Sequence, residues 1–191
     1  CIGDSLMEQG TPKYIYDVLA NYGVVPTLLG TKPVLGYLTE GRSTWKYAQF
    51  IGLCNRTPQG VPITLCTTTS STTLNTENPF LKLATTDDKT NHPTWCFRNT
   101  GNYFELSYTT DTDKTGNFYI FDFAYYLAQH SIANPDIITI ALGANDILQS
   151  AVDPTYLAEM RLSMEIMIKQ IKIALPNIKI GIVPNSSWGS M

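Results

Sequence analysis

The stretch PDIITIALG, residues 135–143, constrains the fold of this chain more than any other. It is a near-continuous run of β-branched and aliphatic residues ending in Gly. A strand with one solvated face alternates apolar and polar side chains. An unbroken apolar run instead suits a strand covered on both faces, as in a parallel sheet between helical layers. IKIGIVPN (178–185) reads as a second strand of this kind. Between them, residues 153–176 carry the clearest helix signal in the chain. Asp153 caps it, Pro154 takes the first position, and Leu157, Met160, Met164, Ile168, Ile171 and Leu175 form its apolar stripe.

The N-terminal part repeats the alternation. Ile2-Gly3 reads as the end of a buried strand. TPKYIYDVLANYG (11–23) has a helix grammar, with Thr11 as cap, Pro12 in the first turn, Gly23 as stop, and Ile15, Val18, Leu19 and Tyr22 on one face. VVPTLLG (24–30) reads as a strand kept to an edge by Pro26. STWKYAQFIG (43–52) reads as a short helix and FAYYLAQHSI (123–132) as another. From about 54 to 119 the pattern gives way to Thr- and Asn-rich sequence with short alternating runs. This is read as a partly β insertion in one domain spanning 1–191, because it holds too few apolar residues for a core of its own. The whole order predicts an α/β layer fold with a central parallel sheet and right-handed crossovers.

Composition narrows the function classes. Of 191 residues 15% are charged, with a net charge of -3 and no Lys/Arg cluster, which gives no electrostatic reason to expect nucleic acid as a partner. The polar but uncharged surface favours an extracellular, periplasmic or virion-associated setting. No apolar run reaches the roughly 18 residues of a membrane span. Cys1, Cys54, Cys66 and Cys96 lack paired C-x-x-C spacing, so zinc is not indicated; disulfides and buried thiols both stay open. No G-x-x-x-x-G-K-[ST] loop occurs, which argues against a nucleotide binder on a sheet of this type.

In open α/β sheets ligands bind beyond the carboxyl ends of the strands. Three such points carry chemistry. Gly3-Asp4-Ser5 follows the first strand and precedes a helix, which exposes the serine hydroxyl at the sheet edge. Gly143-Ala144-Asn145-Asp146 follows the strand at 135–143, where the Asn amide is a neutral donor for an oxyanion. Gly41, in EGRSTW, is a loop glycine whose N–H suits the same oxyanion. Each has a plainer reading as strand terminator, local cap or turn glycine.

Together, Gly3-Asp4-Ser5-Leu6 with Gly10, Gly41, and Gly143-x-Asn145-Asp146 resemble the SGNH hydrolases, also called GDSL esterases and lipases. The resemblance implies a three-layer, flavodoxin-like fold and ester hydrolysis through an acyl-enzyme. It makes Ser5 the nucleophile, and makes the Ser5 N–H, the Gly41 N–H and the Asn145 amide the oxyanion hole. Asp4, Gly143 and Asp146 play supporting parts, and no metal or cofactor is needed. The larger family members of gut bacteria and phages share the look of the aromatic insertion, which implies a carbohydrate ester as substrate.

One block of the family is missing. A serine needs a base, supplied there by the His of a D-x-x-H segment after the last strand. The chain's two histidines, His92 and His130, do not follow an Asp by three. His92 reads as a loop residue and His130 as a helix C-terminal charge. The expectation is therefore a sequence cut at both ends, with the base beyond Met191. Two alternatives stay open: His92 stands in as base, or the scaffold is a catalytically silent carbohydrate-binding or phage-tail module. The last would use Trp95, Phe97, Tyr103, Phe104, Tyr108, Phe118 and Tyr119, which read more plainly as the insertion's own small core.

Overall fold

The computed structural model describes residues 1–3, 5–42, 45, 47–52, 78–98, 106–150 and 155–183. In chain order the elements are β1 (Ile2–Gly3), α1 (Ser5–Glu8), α2 (Thr11–Asn21), β2 (Lys32–Val34), β3 (Tyr37–Gly41) and α3 (Tyr47–Phe50). There follow β4 (Leu81–Leu83), α4 (Thr86–Asn91), β5 (Phe97–Arg98), β6 (Leu106–Ser107), β7 (Phe118–Phe121) and α5 (Phe123–Gln129). The last are β8 (Ile137–Ala141), α6 (Ala144–Ser150), α7 (Thr155–Ala174) and β9 (Lys179–Ile182). The fold is mixed α/β with a mostly parallel central sheet.

That sheet has the order β2-β3-β1-β8-β9. β3, β1, β8 and β9 run parallel, and β2 joins β3 as an antiparallel hairpin. β8 holds a central position, as the unbroken apolar run requires, and Ile138 and Ile140 are buried in the core. β4, β7, β5 and β6 form a second, antiparallel sheet. Its Leu81, Phe97 and Phe121 join Ile2, Ile140, Phe50 and Ile166 in one hydrophobic cluster, while Ala84, Cys96, Phe118 and Ile120 form a smaller one. Cys96 is a free, buried thiol; burial first, and then the nearby Asp88 charge, push it up to about 12. Cys54 and Cys66 lie outside the described residues. Among the described residues no helix is long and apolar enough to cross a membrane.

Several local expectations need correction. The stretch 24–30 is not a strand; the edge strand is β2, which contains Pro33 at a position where an edge tolerates it. Gly41 is the last residue of β3 rather than a loop glycine. The cap of α2 is Gly10, with φ 114°, and Thr11 is its first helical residue. Val18 and Tyr22, expected on the buried face of α2, are 55% and 82% exposed. The most buried face of α7 runs through Ser163, Ile166, Met167, Gln170 and Ile171. Of the predicted stripe, Ile171 lies on that face, whereas Met160, Met164 and Ile168 flank it and Leu157 is exposed. Asp153 and Pro154 lie outside the described residues. β9 is an edge strand and its Ile182 is exposed, so it is not covered on both faces.

Candidate functional site

The register of the central sheet decides where the motif residues meet. Gly3 of β1 pairs with Gly41 of β3 on one side and with Ala141 of β8 on the other. The three strands therefore end level, at one carboxyl edge. From that edge leave α1, opened by Ser5, and Leu142-Gly143, which leads into α6 and Asn145. Blocks separated by about forty and a hundred residues in sequence thus share one end of one sheet. Asp4 and the side chain of Ser5 lie outside what the structure describes.

Two glycines let α1 lie directly on the sheet. A Cβ on Gly41 would stand 2.4 Å from the Glu8 nitrogen and 2.6 Å from the Met7 carbonyl carbon. A Cβ on Gly3 would stand 2.2 Å from Met7 Cγ. Both distances are far inside van der Waals contact, so larger residues would lift the helix that begins with Ser5. Gly143 has φ 112°, a conformation that side chains rarely adopt, and its carbonyl accepts the Ile147 N–H at 2.9 Å to start α6.

Asn145 Nδ2 donates to the Trp45 carbonyl at 3.1 Å. One amide hydrogen is thus anchored, and this fixes the plane in which the second can be offered to a ligand. Asp146, one residue on, is fully buried. The Tyr47 hydroxyl is pushed up to about 12, by burial first and by the Asp146 charge second, so it stays protonated.

The N–H of Gly41 has a different environment from the one the oxyanion role needs. The N–H groups of Glu40, in β3, and of Arg42, just past its end, donate to the Cys1 carbonyl (2.8 Å), just before β1, and to the Gly3 carbonyl of β1 (2.9 Å). Alternation along the strand turns the Gly41 N–H the other way, and it donates to Thr39 Oγ1 at 3.2 Å. Serving an oxyanion at the β1 edge requires that peptide to rotate and release Thr39.

The two histidines are placed away from this edge. His92 follows α4, and its ring stacks on Trp95 at 4.2 Å with an interplanar angle of 7°. His130 follows α5, 5.5 Å from the Tyr126 ring. The insertion's aromatics divide. Phe97 and Phe118 are buried in the two clusters and Trp95, Tyr108 and Tyr119 are partly covered, while Tyr103 and Phe104 lie outside the described residues. The core reading therefore fits Phe97 and Phe118, which offer no face to a sugar.

Sequence reasoning passed over Glu40, Arg42, Trp45 and Tyr126. A signal was present: EGR sets opposite charges two apart at the end of the strand, hence on one face. Among the described residues no group of three His, Cys, Asp or Glu side chains is arranged to hold a metal ion. No protein-family model matches the chain, and no curated protein or solved structure is detectably similar to it.

Proposed function

We propose that this chain is a serine ester hydrolase of the SGNH type, with a three-layer, flavodoxin-like core. The observation that carries this reading is the register that gathers Gly3, Gly41 and Ala141 at one carboxyl edge, with Ser5 and Asn145 just beyond it. Ser5 Oγ attacks the ester carbonyl carbon, the C=O π pair moves to oxygen, and the resulting oxyanion is met by backbone N–H groups and Asn145 Nδ2. Collapse expels the alcohol and leaves an acyl-serine, which water then hydrolyses. Each oxyanion donor lowers the barrier by about 3 kcal/mol. The Gly41 N–H joins this set once it turns from Thr39.

Neither His92 nor His130 follows an Asp by three, as the base of the family does, so this reading identifies no base for Ser5 among the 191 residues. The 191-residue chain alone is then expected to show weak or no turnover. A carbohydrate ester remains the substrate suggested by the family resemblance. The direct test is fluorophosphonate labelling of the full-length protein followed by peptide mapping. Labelling at Ser5, abolished by Ser5→Ala, is the expected outcome; a full-length protein whose Ser5 takes no label ends the proposal.

A further inference from the structure

Two oppositely charged side chains lie beneath the candidate site, almost wholly removed from solvent. Glu40 and Arg42 are each about 2% exposed. They stand two apart, Glu40 in β3 and Arg42 just past its end, and bracket Gly41; Arg42 Nη2 donates to Glu40 Oε2 at 3.0 Å. The other carboxylate oxygen accepts the Thr31 N–H, and also the Tyr126 hydroxyl at 2.8 Å. Tyr126 sits on α5, 86 residues away in sequence.

Stability alone does not account for this arrangement. A buried ion pair gives up hydration on both charges and often does no better than apolar residues of the same volume. This pair is also incompletely satisfied, since Arg42 Nε and Nη1 have no hydrogen-bond partner among the described residues. Dry donors of this kind are costly. What the pair does achieve is connection. The Arg42 N–H holds the Gly3 carbonyl, two residues before Ser5. Its guanidinium lies 5.5 Å from the centre of the Trp45 ring, and the Trp45 carbonyl anchors Asn145.

We propose that Glu40, with Arg42 and Tyr126, is the positioning unit of the candidate site, fixing the ends of β1 and β3 and the Trp45 carbonyl in the arrangement that Ser5 and Asn145 need. This rests on the serine-hydrolase reading. None of the three touches the reacting atoms; each acts through the backbone or through Trp45.

The test uses full-length wild type, Tyr126→Phe and Glu40→Gln. Fluorophosphonate labelling at Ser5 is resolved into reagent affinity and inactivation rate constant, and amide hydrogen exchange over β1 and α1 is followed on the same samples. Tyr126→Phe removes one oxygen and keeps the ring against Phe80, 4.2 Å away, so the fold is retained. The expected result is a rate constant lowered roughly two- to thirty-fold at unchanged affinity, with faster exchange over β1 and α1. Glu40→Gln keeps an acceptor for Tyr126 but removes the charge facing Arg42, and its loss should be larger. Labelling per folded molecule equal to wild type, with only the melting temperature lowered, overturns the proposal. If wild-type Ser5 takes no label yet Tyr126→Phe still speeds exchange over β1 and α1, the hydrolase reading fails and the linkage stands. Labelled protein in which neither rate nor exchange changes removes the linkage alone.

Discussion

Asp88 shows how one carboxylate can hold a local structure and make it acid-sensitive. Thr85 caps α4 in a capping box: its hydroxyl accepts the Asp88 N–H at 3.1 Å, and Asp88 Oδ2 accepts the Thr85 N–H at 2.8 Å. Partial burial pushes the Asp88 carboxyl up. The hydrogen bonds from Thr85 and the Lys82 ammonium at 3.3 Å outweigh this and hold it below the usual carboxylate range. Its folded pKa is thus below its unfolded one. The stability it contributes is present above the ordinary value of 3.8 and is lost as pH falls through the folded value. Asp88→Asn should cost about 0.3–1 kcal/mol at neutral pH, the usual worth of an acidic group in a first helical turn. Thermal melts between neutral and strongly acid pH check this, because the gap between wild type and variant should close below the folded pKa. A gap that persists unchanged into strong acid would contradict the assignment.

At the scale of elements, the hairpin β2–β3 holds a correctable strain. Val34 and Tyr37 pair across it, and the two residues between, Leu35 and Gly36, have φ of 51° and 85°. Two positive φ values in a two-residue loop make the turn whose twist matches the flanking strands, usually built from Asn-Gly. Gly36 adopts it freely; a leucine there costs about 1–2 kcal/mol. Leu35 is 65% exposed, so little packing offsets this cost. Leu35→Asn should raise stability by about 0.5–1.5 kcal/mol in urea melts. A lower midpoint would mean that the packing of the covered part of Leu35 is worth more than the strain.

The same hairpin shows where sequence reading fails. VVPTLLG is more apolar than KPV, yet the shorter run pairs, because the Leu-Gly turn after it fixes the register with β3. Turn chemistry outranked apolar content. Along α2 and its C-cap, Tyr14, Val18 and Tyr22 follow one another at four-residue spacing and are all exposed. Periodicity reports an apolar stripe without saying what covers it. α7 was legible as a helix because its apolar content is high throughout, and for the same reason the centre of its buried face was not. β8 was legible because a strand covered on both faces has only one kind of residue to choose from. The glycines of the candidate site were visible through motif, whereas the Tyr126–Glu40 bond was not. Pattern reading has no means of pairing two polar residues so far apart in sequence.

For the whole molecule, the question is whether the two sheets hold together. Phe80, which precedes β4, packs on Phe50 (5.9 Å), Phe121 (5.1 Å), Phe123 (6.2 Å) and Tyr126 (4.2 Å) between ring centres. These rings come from α3, β7 and α5 and belong to the chain's main cluster, and Phe80 is fully buried among them. Phe80→Ala should cost about 3–5 kcal/mol. It should lower one shared transition, seen together in tryptophan fluorescence and far-ultraviolet circular dichroism. Separate transitions by the two probes would show that the second sheet melts on its own.

The hydrogen bond from Asn145 to the Trp45 carbonyl has a practical side. Trp45 is buried, packs edge-on against Phe50 at 4.8 Å and lies beside a guanidinium. The molecule therefore carries its own fluorophore one hydrogen bond from the candidate site. Binding events at that edge are open to optical readout in unlabelled protein, before any substrate has been identified.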